Sequence, residues 1–243
     1  MEMSSVVFDH LTYTIGATPI LRGVSATVAA RKVTALIGRS GSGKSTLLRT
    51  VNGMVRPTSG TVRVFDAPLD YNALPAVRRR IGYSVQGTGL FPHLTVGANA
   101  LLPARIAGID VESKRERLTS LFALVNLPLA FLPKYPHELS GGEQQRVGIC
   151  RALLLDPPIV LLDEPFGALD PSTRSEIHRE VLRIQEHAPR TMLLVTHDLR
   201  EALRLADRVL VLDAGVIVQH GPRDEVFEHP ASDAIAAYFR SAE

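Results

Sequence analysis

The stretch "VTALIGRSGSGKSTLLRTVNG" sets Gly38, Gly43, Lys44 and Ser45 in a G-x-x-x-x-G-K-[ST] pattern. It follows a strand-like run and leads into helix-forming residues, the setting in which such a loop cradles phosphates. Glycines let the backbone wrap closely around a phosphate chain, with successive N–H groups turned inward as donors. A helix beginning near Lys44 adds the positive end of its dipole. The candidate ligands are Ser40, Gly41, Ser42, Gly43, Lys44, Ser45 and Thr46. Lys44 can reach the terminal phosphates of a nucleotide, and the Ser45 hydroxyl can ligate Mg²⁺. The competing reading is a glycine-rich turn with a chance lysine.

Cleaving a phosphate also needs an activated water. "IVLLDEP" ends an apolar run with Asp163 and Glu164. Neighbouring side chains on a strand point to opposite sides, but at its carboxyl end both can approach a ligand. Asp163 is the candidate Mg²⁺ ligand, which leaves Glu164 to polarise the water as general base. An isolated acid pair would be read as solvated carboxylates capping a strand. Two further polar residues close strand-like runs, Gln86 after "RRRIGYSV" and His197 after "LLVT". His197 is assigned to the γ-phosphate, and Gln86 to the neighbourhood of Mg²⁺ and the water.

The elements that must position these residues read as α/β. "SSVVFDHLTYTI", "PILRGVSATVAARKVTALIG" and "GTVRVFDAPL" are strand-like by β-branched content and partial alternation. "IVLLDE", "RTMLLVTHD" and "DRVLVLDAG" are short continuous apolar runs, as in a sheet covered on both faces. "DPSTRSEIHREVLRIQEH" is helical, with Ile177, Val181 and Ile184 along one side. From Leu94 to Leu155 the signal is helical, punctuated by Pro92, Pro103, Pro128, Pro133 and Pro136. That stretch is predicted to be a mostly α-helical insert.

Composition narrows the partners. With 27 basic and 25 acidic residues the net charge is +2, so no global attraction to nucleic acid is expected. "RRR" at Arg78 to Arg80 is read as a solvated face. Cys150 is the sole cysteine, which excludes an internal disulfide; it is expected to be a small buried side chain. No run approaches the roughly 20 apolar residues of a membrane span. The start "MEMSSVVFDH" lacks the form of a signal peptide, so a soluble chain is expected.

One stretch remains, "LSGGEQQR" at Leu139 to Arg146, where two glycines stand at the start of a helix. Together with "GRSGSGKST", Gln86, "IVLLDEP", "GALD" and "VTHD", in that order, it resembles the ATPase subunits of ATP-binding cassette (ABC) transporters. The resemblance runs from Tyr13 to the final helices. It implies a P-loop NTPase (RecA-like) α/β core at 1–93 and 156–243, with an N-terminal antiparallel β subdomain and an α-helical subdomain at 94–155. It also implies ATP and Mg²⁺, and a second copy paired head to tail. Ser140 and Gly142 would then donate to the partner copy's γ-phosphate, with Gly141 permitting the approach. A purely structural helix cap is the alternative for these residues. Tyr13 matches the aromatic that stacks on adenine, and Asp170 lies in the loop that crosses between copies. The helical insert would meet transmembrane permease subunits, hinged by the Gln86 loop with Gly87 and Gly89.

By the same resemblance the chain is an ATPase on the cytoplasmic face of a bacterial-type membrane, serving an importer. The stretches around "YPHELSGGEQQRVGICRALLLDPPIVLLDEPFGALDPSTR" are most similar to the subgroup for osmoprotectants such as glycine betaine, choline and carnitine. A substrate-binding protein is an indirect partner, and polar amino acids are the alternative cargo. C-terminal regulatory domains, present in some of that subgroup, are not expected after Glu243. A non-transport ABC ATPase acting on DNA repair or the ribosome is a second class. It is disfavoured because neither a long coiled-coil insertion nor a tandem cassette is visible.

Overall fold

The structure is a computed structural model and describes residues 4–240. In chain order it begins β1 (Ser4–Ile15), β2 (Thr18–Ala29), β3 (Val33–Ile37), α1 (Lys44–Val51), β4 (Ser59–Val64) and β5 (Ala67–Pro68). There follow α2 (Leu74–Arg78), β6 (Ile81–Ser84), α3 (Val96–Ile106), α4 (Arg115–Leu124), α5 (Gly141–Leu153), β7 (Ile159–Asp163) and α6 (Pro171–His187). The chain closes with β8 (Thr191–Val195), α7 (Leu199–Leu205), β9 (Arg208–Asp213), β10 (Val216–Pro222), α8 (Arg223–Glu228) and α9 (Asp233–Arg240). These form two compact units, Met1–Val77 with Pro189–Glu243, and Arg78–Ala188.

In the first unit β1 and β2 make an antiparallel hairpin. Ile15 faces Thr18 across the two-residue turn Gly16–Ala17, and Gly16 has the positive φ of 58° that such turns favour. The sheet continues in the order β2-β1-β4-β5, the expected antiparallel β subdomain. Val24, Ala26 and Val28 of β2 alternate into the core, which Leu21 also enters. A second set of strands places β3 parallel to both β8 and β9, with β10 antiparallel to β9. Every residue of β3 and β8 is buried, as continuous apolar strands with both faces covered should be. Ala35, Ile37, Val209 and Val211 pack with Leu199, Ala202, Val226, Phe227 and Phe239 from α7, α8 and α9.

In the second unit β6 runs parallel to β7, and all five residues of β7 are buried. Between 94 and 155 the described residues form helices and no strand. The unit is wider than that stretch, because it also takes in β6, β7 and α6. Pro103 does not interrupt the helical insert as its punctuation implied, but lies inside α3. It falls in the last turns, and α3 ends at Ile106. Cys150 is fully buried, and burial pushes its thiol well above the usual range, so it is inert. α6 opens on Asp170, which accepts from Thr173 N, with Pro171 at its first position. Its buried side is Ile177, His178 and Val181.

The C-terminal part of α5 lies directly on β6. A Cβ on Gly82 would sit 2.1 Å from the Ala152 carbonyl oxygen and 2.8 Å from Pro157 Cγ. Gly82→Ala is therefore expected to lower stability by about 3 kcal/mol, the upper end of the range for overpacking. A urea unfolding midpoint equal to that of the unaltered chain would show that the backbone there has room to yield.

Candidate active site

In the first unit the phosphate loop springs from the carboxyl end of β3, where parallel α/β strands present their ligand sites. Gly38 has φ 148°, and a Cβ there would lie 2.0 Å from Leu212 O of β9. Gly43, at φ 103°, is the N-cap of α1, and a Cβ on it would meet Ile20 O at 3.0 Å and Leu21 Cδ2 at 3.1 Å. The tip of the β9–β10 turn braces the loop, Gly215 N donating to Ser42 O at 3.1 Å. Both glycines thus let backbone touch backbone.

Lys44 is only 6% exposed, and its Nζ donates to Gly38 O at 2.8 Å and Arg39 O at 2.9 Å. The ammonium is held inside the loop by the loop's own carbonyls. The Ser42 hydroxyl is buried and has no hydrogen-bond partner among the described residues. A bound anion would satisfy it, so the loop fits a phosphate chain. Ser45 and Thr46 occupy the first turn of α1, and Ser40 and Gly41 are exposed at the loop's tip. Tyr13, half-buried on β1, stands opposite Leu21, the residue packed against Gly43. His197 lies two residues beyond Val195, which pairs with Leu36. The histidine therefore leaves β8 level with the start of the loop and is exposed.

In the second unit Ser84 pairs with Leu162, so Gln86 and Glu164, each two residues further on, emerge at the same carboxyl edge. Asp163 is 0% exposed and accepts from Tyr83 OH at 3.4 Å, a contact invisible in the spacing of the sequence. Glu164 has φ 49°, the left-handed region. For a residue with a Cβ that conformation costs about 1–2 kcal/mol, and such strain is found at functional sites. Among the described residues no group of three or more His, Cys, Asp or Glu can hold a metal. Within this unit the Asp163 carboxylate and the Gln86 amide are oxygen donors of the kind Mg²⁺ takes, an ion that keeps few protein ligands.

The glycine tip is a helix start. Ser140 is the N-cap of α5 and forms a capping box, in which Glu143 N donates to Ser140 Oγ at 3.3 Å. Ser140 N and Oγ both donate to Glu143 Oε2, at 2.7 and 2.9 Å. Burial pushes the Glu143 carboxyl up, but the Ser140 hydrogen bonds with Arg146 and Lys134 outweigh it and hold it below its ordinary value. Gly142, rather than Gly141, is the crowded position. A Cβ on it would lie 3.0 Å from Ala168 O, whereas on Gly141 it would meet only Ala168 Cβ at 3.9 Å. Asp170 is exposed, and hydrogen bonds from Ser172 and Thr173 hold its carboxyl far below the usual range. The Gln86 loop is not wholly loose, since Arg151 NH1 donates to Gly89 O at 2.8 Å. Sequence reasoning gave Gln145 no role, yet its buried amide joins α5 to the backbone of Glu164 and Ala168.

Comparison with known proteins gives the family. The profile of the ABC transporter family matches residues 21–167. The glycine betaine/carnitine/choline transport ATP-binding protein OpuCA of Bacillus subtilis is 39% identical over 92% of this chain and 59% of its own length. The glycine betaine uptake system ATP-binding protein YehX of Escherichia coli is 40% identical, covering 98% of this chain and 77% of its own. The methionine import ATP-binding protein MetN of Caulobacter vibrioides is 42% identical, over 96% and 70%. Among solved structures, the ATP-binding cassette MJ0796, a dimer in a post-hydrolysis state bound to ADP and Pi, superposes with a TM-score of 0.83. It is 32% identical, over 90% of this chain and 98% of that one. The chain thus spans about three fifths of the length of OpuCA.

The capping box makes a prediction of its own. Ser140→Ala is expected to cost about 1 kcal/mol at neutral pH. Because Glu143 has a depressed native pKa, its share is present above 4.5 and is lost as pH falls through the lower native value. Chemical unfolding at several pH values checks this. A deficit that stays constant into acid would detach the cap from the Glu143 charge.

Proposed function

The chain belongs to the ABC transporter family, and from that premise we propose that it is the ATP-binding and ATP-hydrolysing subunit of an importer. The cargo we propose is a quaternary-amine osmoprotectant such as glycine betaine, choline or carnitine. The observation that carries the ATPase reading is the phosphate loop itself, with its backbone-tight glycines, its buried lysine and a buried hydroxyl awaiting an acceptor. In this reading Lys44 exchanges its carbonyl partners for β- and γ-phosphate oxygens, and Tyr13 stacks on the adenine. Ser45 and Asp163, with Gln86 nearby, hold Mg²⁺, which when bound neutralises charge on the phosphates. Glu164 takes the proton of the attacking water, and His197 contacts the γ-phosphate.

Two copies pair head to tail, each tip at Ser140, Gly141 and Gly142 closing on the nucleotide of the other, with the Asp170 loop at the crossing. The dimeric state of the MJ0796 cassette supports this pairing. A γ-phosphate touching both copies favours the closed pair, and its removal lets them part, since a ligand shifts an equilibrium only by differential affinity. The helical insert at 94–155 meets permease subunits, which receive solute from a binding protein. No described helix is long and apolar enough to cross a membrane, which fits a subunit lying at the cytoplasmic face. Amino-acid import is the second reading, favoured by the 42% identity to MetN.

Glu164→Gln tests the chemistry. It should keep ATP binding and lose turnover by about 100-fold or more, the contribution of a general base. Hydrolysis at the unaltered rate would remove Glu164 from that role. Competition of glycine betaine against methionine for uptake by the assembled importer separates the two cargoes.

A further inference from the structure

Gln145 has no part in the roles above, yet it is only 5% exposed and uses both ends of its amide. Its Nε2 donates to Glu164 O at 3.3 Å, and its Oε1 accepts from Ala168 N at 2.9 Å. Those two backbone atoms bracket the turn that carries Glu164 out of β7. Inside it Gly167 N donates to Glu164 O at 3.4 Å, and Leu169 N to Phe166 O at 3.1 Å. A left-handed glutamate, at φ 49°, persists only where its surroundings over-determine it. From the same helix, Gly142 packs on the other end of the turn, where a Cβ would lie 3.0 Å from Ala168 O, a tight contact.

We infer that Gln145 is a positioning residue for the reaction. It holds Glu164 in its left-handed conformation and so aims the carboxylate. It also ties that carboxylate to the helix whose first residues grip the partner copy's nucleotide. The inference rests on the reading of Glu164 as general base and deepens it. Its consequence is directional. The tip of α5 touches the nucleotide of one site, while Glu164 of the same chain serves the other. One side chain per copy therefore links the two sites. An amide suits the task because it supplies one donor and one acceptor. Leucine supplies neither, and an ionised glutamate sets a second acceptor against Glu164 O.

The full chain is compared with its Gln145→Leu and Gln145→Glu variants. Turnover, equilibrium ATP binding and thermal midpoint are measured for each. Each variant is also combined with Glu164→Gln and tested for the nucleotide-trapped dimer by size exclusion. Turnover should fall by about 100-fold, as for a reacting group displaced by about 1 Å, while ATP affinity stays within about twofold. The trapped dimer should still form. Turnover within about twofold of the unaltered chain overturns the inference. So does a loss of turnover matched by an equal loss of ATP affinity, and so does failure of both variants to fold. The unaltered chain and Glu164→Gln are run alongside. Hydrolysis by Glu164→Gln at the unaltered rate would strike down the base itself and the inference with it, whereas normal controls with active Gln145 variants strike down only the inference.

Discussion

At Gly82 and Ala152 the backbone of β6 and the end of α5 approach so closely that a single methyl group would collide with a carbonyl oxygen. Protein interiors are dense enough that such a contact fixes the elements on either side of it. Functional segments of the second unit are tied to that helix. Arg151 reaches from it to Gly89 in the Gln86 loop, Gln145 to the Glu164 turn, and Gly142 abuts Ala168. Two segments with assigned roles, the Gln86 loop and the turn from Glu164 to Ala168, are therefore tied to one helix. A displacement of α5 would disturb both.

The first unit solves a different problem, the storage of a buried positive charge. A lysine taken out of water is costly unless its protons are satisfied. Lys44 is satisfied by Gly38 O and Arg39 O, two carbonyls from the loop it completes. This arrangement closes the loop around its own cation. Neutral carbonyl partners hold the lysine in place yet yield it to an anion, so preorganisation does not defeat binding.

How much of this was legible in the sequence depends on whether the partners are close in the chain. The phosphate loop, the acid pair and the strands that carry them could be read, because motif and element are contiguous. The helical character of the insert was readable for the same reason. The need for glycine at position 38 was readable only as a pattern, because the atom that forbids a Cβ belongs to Leu212, far along the chain. Likewise Gln145 sits inside a recognisable stretch, but its partners at Glu164 and Ala168 are brought to it by packing. The left-handed backbone of Glu164 leaves no trace in composition. Pro103 misled in the opposite sense, since a local breaker is tolerated where a helix is already near its end.

The tip of α5 shows how a helix start can be both capped and open. A helix begins with N–H groups that have no intrahelical partner. The Ser140 hydroxyl takes that of Glu143, and Gln144 N already reaches Ser140 O. Glu143 in turn secures the N–H of Ser140 itself. That leaves Gly141 and Gly142, whose N–H groups have no hydrogen-bond partner among the described residues. The cap occupies the Ser140 hydroxyl, whose proton goes to Glu143 Oε2, but leaves the two glycine donors bare at the positive end of the dipole. A Cβ at 142 would crowd Ala168 O, at 3.0 Å. The structural cap and the proposed phosphate grip therefore share the Ser140 hydroxyl, while the two glycine N–H groups are left to the grip alone.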